Sequence, residues 1–154
     1  MKKILLASMF IVSCFAFGQK VKIKKDIAYV DGKEYVIAKE DRSSESSYTI
    51  QNLNHQDLFY LKHVDYKDIK EITGANKDGT VDYYEVYNSN ITEKLFECAY
   101  HVGFFGAGNN IDTVIINLYN NDVIKSDGSI DQTKLDLLSR KLGFEFSRKR
   151  NEQP

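Results

Sequence analysis

The sequence is poor in cysteine and proline and contains no tryptophan. Of its two cysteines, Cys14 lies in an apolar amino-terminal run and Cys98 lies in the body of the chain. If the amino-terminal run is removed, no internal disulfide can form, so stability must come from burial of a core. The single proline is Pro154, which excludes rigid proline-rich linkers between elements.

The chain also has no concentration of basic charge. It carries 21 lysines and arginines against 22 acidic residues, for a net charge of −1. Neutralising nucleic-acid phosphates requires a concentrated basic face, so nucleic-acid binding is not expected. The short basic run at Arg148, Lys149 and Arg150 is predicted to belong to a solvated polar tail over residues 148–154.

No complete catalytic or metal-binding motif occurs in the sequence. The patterns Gly-x-Ser-x-Gly, His-Glu-x-x-His and Cys-x-x-Cys are all missing, and no pair of carboxylates stands out by an apolar setting. The glycine-rich stretch 103–108 has the reverse of the dinucleotide-binding spacing, and it favours a flexible connection. We therefore assign no catalytic, cofactor-binding or metal-binding residue from the sequence.

One partial calcium-loop pattern requires a separate interpretation. Its acidic first ligand is replaced by Gly74, and the segment after it has the pattern of a strand. A hairpin turn formed by Asp78 and Gly79 is the favoured explanation. The residues that match the pattern are Asn76, Asp78, Gly79, Asp82 and Glu85.

The amino terminus has the parts of an export signal. Lys2 and Lys3 precede an apolar run over 4–17 that is shorter than the roughly 20 residues of a membrane span. The pattern Ala-Phe-Gly at 16–18 predicts cleavage after Gly18, which gives a periplasmic or secreted protein. The alternative is lipidation at Cys14, because residues 11–14 resemble a lipobox, although the residues after Cys14 are still apolar.

Alternating apolar and polar residues predict strands through the first two thirds of the mature chain. Asp31 and Gly32 indicate a tight hairpin between two of them. The segment 95–100 fits a strand or a helix, and the turn at 88–90 favours a strand that pairs with 81–87. The other predicted strands are 21–24, 27–30, 35–38, 48–51 and 58–61.

The last third changes to a helical period. Two apolar stripes have helical spacing, and Gly143 is placed to end the second helix. Phe144 and Phe146 then alternate with polar neighbours, which predicts a final short strand. The fold is therefore expected to be α+β, with a meander of about six antiparallel strands followed by two carboxyl-terminal helices in one domain over 19–147. The stripes are Ile111, Val114, Ile115 and Leu118, and then Leu135, Leu138 and Leu142.

Two groups of side chains offer a function. Tyr83, Tyr84 and Tyr87 occupy both faces of one predicted strand, so the face toward solvent would present tyrosine to a protein partner. Cys98 is expected to be buried, but near a histidine it would be a candidate nucleophile. The histidines of the chain are His55, His63 and His101.

The segments Lys-Ile-Lys-Lys-Asp at 22–26 and Val-Asp-Gly-Lys at 30–33 resemble those of small exported bacterial proteins of unknown function. The resemblance implies a strand region before two helices, and it transfers no functional residue. We expect an exported, non-catalytic binding module that uses its sheet or a sheet edge, with no cofactor and no membrane span in the mature form. The alternatives are a small hydrolase that uses Cys98 with a histidine, and an envelope lipoprotein lipidated at Cys14.

Overall fold

One antiparallel sheet takes up the first two thirds of the computed structural model, which describes residues 20–44, 46–100 and 111–152. Each strand pairs with the next along the chain, as the predicted meander requires, and segment 94–99 is a strand. The described chain has seven strands, where about six were expected. They are β1 (Val21–Lys24), β2 (Ile27–Val30), β3 (Lys33–Asp41), β4 (Ser47–Gln51), β5 (Asp57–Lys67), β6 (Thr80–Asn88) and β7 (Lys94–Ala99).

The two predicted tight turns have different outcomes. Asp31 and Gly32 join β2 to β3 with φ of 51° and 82°, as a two-residue hairpin turn requires. Asp78 and Gly79 do lie in a turn between β5 and β6, but they do not join the strands by themselves, because the whole segment 68–79 forms the connection. A 3₁₀ turn (Ile69–Glu71) lies inside this connection, and the Asp68 amide donates to the Gly79 carbonyl oxygen at 2.8 Å.

Three helices follow the sheet. The first two, α1 (Asp112–Asn120) and α2 (Gln132–Leu142), confirm the predicted apolar stripes. Helix α1 contacts β1, β2 and β7, and α2 contacts β7, so both cover the same face of the sheet. We call this the inner face. Its fully buried side chains, together with those of α1, form the core, and they include Val36, Ile50, Phe59, Leu61, Val86, Phe96, Val114, Ile115 and Leu118.

The third helix, α3 (Glu145–Asn151), replaces the predicted final strand and most of the predicted polar tail. The Phe146 ring stacks on Tyr83 with centroids 5.0 Å apart, and Lys149 pairs with Glu145 one turn earlier at 2.7 Å. The Glu145–Lys149 pair has the i, i+4 spacing of a helix. Tyr83 belongs to the opposite side of the sheet, which we call the outer face.

The helices found in the described ranges fall short of the length and apolarity that a membrane crossing requires. The predicted signal over 1–18, including Cys14, lies outside the described residues, as do the glycine-rich stretch 103–108 and His101.

We predict that Gly79→Ala destabilises the fold by about 2–3 kcal/mol. Gly79 has a φ of 61°, and a Cβ added there would overlap with the carbonyl oxygen of Asp68. The matched control is Gly74→Ala in the same connection, where an added Cβ meets nothing within 4 Å. Denaturant unfolding measures both changes, and equal losses of stability would contradict the close approach at Gly79.

Candidate functional sites on the two faces of the sheet

Cys98 lies on the inner face of β7 and is buried, as expected. Its Sγ is 3.5 Å from Nδ2 of Asn117 on α1. Burial raises the pKa of Cys98 to about 11, although the hydrogen bond from Asn117 acts in the opposite direction. The thiol is therefore protonated near neutral pH, which is the state of an inert cysteine.

The described histidines do not pair with this thiol. His55 is exposed in the turn between β4 and β5. His63 is on the inner face of β5, where it lies opposite Tyr84 of β6, and Tyr84 in turn lies opposite Cys98. A whole strand therefore separates His63 from Cys98, which places their backbones about 10 Å apart.

His63 has a different partner, which the sequence analysis did not identify. Its Nε2 lies 3.0 Å from Oδ1 of Asp82, and both side chains are partly exposed. The carbonyl oxygen of Asp82 accepts from the Tyr100 amide, and the Tyr100 ring lies beside the imidazole with centroids 4.8 Å apart. In many catalytic sites, a carboxylate orients an imidazole, and the imidazole acts as the general base. In the described part of the chain, however, no hydroxyl or thiol is hydrogen-bonded to this imidazole.

The predicted tyrosine surface is wrong. Tyr83 and Tyr84 are fully buried, the first beneath Phe146 and the second on the inner face. The Tyr84 hydroxyl donates to the carbonyl oxygen of Ser46 at 3.0 Å. Tyr87 is half-buried, and its hydroxyl donates to Glu85 at 2.9 Å. The tyrosines on β6 therefore stabilise the fold and do not form a surface for a partner.

Beside Tyr83, the outer face holds a group of acidic and basic side chains. Glu85 of β6 and Glu97 of β7 lie directly opposite each other, and both are buried. The Lys94 ammonium lies between them, 3.2 Å from Glu85 Oε1 and 2.8 Å from Glu97 Oε1. The Ser147 amide of α3 donates to the other Glu97 oxygen at 3.0 Å. We call these four residues the glutamate–lysine cluster.

Hydrogen bonds stabilise the charged forms of Glu85 and Lys94 in the cluster. Burial alone would raise the pKa of Glu85, but hydrogen bonds from Tyr87 and Lys94 and the Lys94 charge outweigh it and lower that pKa. Burial lowers the pKa of Lys94, and the bonds to both glutamates more than reverse this. The enclosed cluster therefore attaches α3 to the sheet. The sequence could have revealed the glutamate–lysine cluster only through the register between β6 and β7, since its two glutamates lie on different strands.

The partial calcium-loop pattern does not bring its carboxylates together. Asp78 pairs with Lys67 at 3.0 Å, Asp82 pairs with His63, and Glu85 belongs to the glutamate–lysine cluster. Across the described ranges, no group of three histidine, cysteine or acidic side chains is arranged to hold a metal ion. The residues present thus give no basis for a metal site.

A polar concavity of about 740 Å³ opens on the outer face over β3, β4 and β5. We call it the outer-face groove. The Tyr60 hydroxyl donates to Asp41 at 3.0 Å, and the Gln51 amide donates to Asp57 at 2.6 Å. The β1–β2 turn and the β6–β7 turn add further lining residues. The lining residues are Asp26, Lys39, Glu40, Asp41, Arg42, Thr49, Gln51, Asp57, Tyr60, Ser89 and Ile91.

A second concavity of about 410 Å³, the adjoining groove, shares part of this lining. The shared residues are Asp26, Lys39 and Gln51. The adjoining groove differs in its apolar wall, which includes Ile27, Ile37 and the 45% exposed Leu53.

Comparison of the chain with protein-family models, with curated proteins and with solved structures gave no match. A function must therefore be inferred from the His63–Asp82 pair, the glutamate–lysine cluster and the two grooves. The outer-face groove has the volume of a ligand site, whereas the cluster is enclosed by α3.

We predict that Cys98 in the native protein resists alkylation and reacts completely after denaturation. Its burial and its raised pKa both disfavour the thiolate that alkylating reagents attack. Mass spectrometry of the iodoacetamide-treated protein, native and denatured, measures the modified fraction. Rapid modification of the native protein would show an accessible, activated thiol.

We predict that Lys94→Met destabilises the fold by about 3 kcal/mol at neutral pH, because it leaves two buried carboxylates facing each other. Lys149→Met, which removes an exposed pair with Glu145, should change stability by less than about 0.5 kcal/mol.

The pH dependence of stability gives a second readout for the same variant. The lowered pKa of Glu85 stabilises the unmodified protein above the unfolded pKa, and this contribution is lost as pH falls through the folded pKa. In Lys94→Met, protonation of one of the two glutamates relieves the repulsion between them. The loss of stability relative to the unmodified protein should therefore shrink as pH falls from about 7 to about 5. Denaturant unfolding at both pH values measures the difference, and a deficit independent of pH would contradict the assigned role of Lys94.

Proposed function

We propose that the chain is an exported, non-catalytic binding module that binds its partner in the outer-face groove. The observation that carries the proposal is the groove itself, an open polar concavity of about 740 Å³ on the strands of a rigid sheet. Small-molecule and peptide-side-chain sites have volumes of about 300–1,000 Å³. Binding sites on strands also hold their side chains more precisely than sites on loops.

Several lining side chains are already fixed in place. Asp41 accepts hydrogen bonds from the Ser43 amide at 2.9 Å and from the Tyr60 hydroxyl, and Asp57 holds the Gln51 amide. Ordering these side chains before binding lowers the entropy that a partner must offset. This arrangement supports recognition of a specific polar partner.

The face of the sheet is a better candidate than its edges. At the β7 edge, the Glu97 amide donates to the Gly143 carbonyl oxygen at 2.9 Å, so the segment between α2 and α3 covers that position. The other edge, β1, is four residues long and exposes Lys22 and Lys24. Short, lysine-bearing edges are a common protection against pairing with another strand.

The cellular location is proposed from the amino terminus. Cleavage after Gly18 would release the module to the periplasm or to the medium. Lipidation at Cys14 is the alternative, and it would hold the same module at an envelope membrane.

A second candidate function follows from the His63–Asp82 pair. The 3.0 Å contact orients an imidazole that is still partly exposed, as in a general base. This candidate enzyme would not use Cys98 as its nucleophile. His63→Gln separates the two functions, because it would abolish an activity of this kind and leave binding at the outer-face groove intact.

We predict that Thr49→Trp abolishes capture of a partner from envelope extract by the immobilised exported chain, because the indole would fill the groove that Thr49 lines. The matched control is Thr133→Trp on the exposed side of α2, which should capture as the unmodified chain does. Thermal unfolding checks that both variants fold. Capture that survives Thr49→Trp, or that both variants lose equally, would contradict binding in the groove.

A further inference from the structure

The charges of the outer-face groove are unbalanced. Two cations, Lys39 and Arg42, line it together with four carboxylates, those of Asp26, Glu40, Asp41 and Asp57. The groove therefore has an excess of two negative charges, and a positively charged group is its electrostatic complement.

The carboxylates of the groove take part in none of the ion pairs between described residues, all of which lie on other side chains. Asp41 and Asp57 instead accept from neutral donors, namely Ser43, Tyr60 and Gln51. The bonds from Ser43 and then Tyr60 hold the pKa of Asp41 below its ordinary value, so this carboxylate stays charged near neutral pH. A guanidinium or ammonium group would meet hydrogen-bonded carboxyl acceptors.

The adjoining groove adds length and an apolar wall. Because the two grooves share Asp26, Lys39 and Gln51, they adjoin and form one depression. Leu53, which is 45% exposed, lines the adjoining groove, as does Ile27. An occupant that fills both grooves needs a positive group in the outer-face groove and an apolar group in the adjoining groove.

We infer that the occupant is an extended peptide segment of a partner protein that carries a basic side chain, preferably arginine, two residues from an apolar one, so that both lie on the same face of the segment. This inference rests on the proposed function, since it names the partner class of the same groove. The basic side chain pairs with Asp41 and Asp57, where a guanidinium can bond both oxygens of a carboxylate. The apolar side chain packs on Leu53 in the adjoining groove.

Fluorescence anisotropy with three labelled eight-residue peptides tests the inference on the full exported chain. The peptides repeat leucine–serine–X–serine, where X is arginine, glutamine or glutamate, so that leucine and X lie on the same face of an extended chain. We expect the arginine peptide to bind at least about tenfold more tightly than the glutamine peptide, with an affinity that falls as salt is added. The glutamate peptide should bind most weakly. Equal binding of the arginine and glutamine peptides would overturn the inference.

Two isosteric variants on one strand locate the binding. Asp57→Asn removes a groove carboxylate and should weaken the arginine peptide about threefold to tenfold. Asp65→Asn removes an exposed carboxylate of β5 outside both grooves, and it should leave the affinity unchanged. Leu53→Ser should weaken the arginine–leucine peptide and have no effect on an arginine–serine peptide. Equal losses from Asp57→Asn and Asp65→Asn would indicate unspecific attraction and overturn the inference.

The outcomes separate the partner class from the function itself. If Thr49→Trp abolishes capture from extract while the arginine peptide fails to bind, the groove is a binding site and the basic peptide is the wrong class. If Thr49→Trp leaves both capture and peptide binding unchanged, the proposed function and the inference both fail. Self-association of the chain that Thr49→Trp removes would make a second copy the occupant, which overturns the inference of a separate partner.

Discussion

Burial of the inner face beneath α1 and α2 is the interaction on which the rest of this structure depends. The domain has no internal disulfide to limit its unfolded state, so core burial must offset the conformational entropy lost on folding. Helix α1 supplies three fully buried side chains and contacts strands at both ends of the sheet. Much of the inner face is covered in this way, although the His63–Asp82 pair on it is partly exposed, and α3 and the outer-face groove lie on the outer face.

The charged side chains of the outer face include two separate groups, the glutamate–lysine cluster and the outer-face groove. Helix α3 has only seven residues, too few to be stable alone, and it depends on contacts with the sheet. The stacking of Phe146 on Tyr83 supplies apolar contact, while the bond from Ser147 to Glu97 ties the helix to the buried cluster. Burying two carboxylates costs desolvation free energy, and Lys94 offsets this cost because its ammonium bonds both.

Local periodicity explains which elements could be predicted from the sequence. Strand alternation and helical stripes are properties of neighbouring residues, so the meander, α1 and α2 were predictable from pattern alone. Phe144 and Phe146 alternate like strand residues, but the segment forms α3, and its contacts with distant Tyr83 and Glu97 are not visible in the local pattern. The same limit explains the tyrosine error, because the pattern of β6 does not reveal that α3 covers one face and the core covers the other.

The candidate sites were less predictable than the fold, since each depends on register. Glu85 meets Glu97 only through the pairing of β6 with β7, and His63 reaches Asp82 only through the pairing of β5 with β6. The outer-face groove combines side chains of three strands with those of three turns, and none of these segments carries a motif of its own.

The two groups of carboxylates on the outer face differ in hydration, and this difference separates stability from binding. The Glu97 carboxylate is buried from solvent and depends on its pair with the Lys94 ammonium, so the glutamate–lysine cluster is not available to bind a ligand. Asp57 is exposed and bonded only to a neutral amide, so it can exchange water for an incoming cation at little cost. The proposed binding at β3–β5 can therefore be changed with little effect on the attachment of α3 at β6 and β7, because the two depend on different side chains.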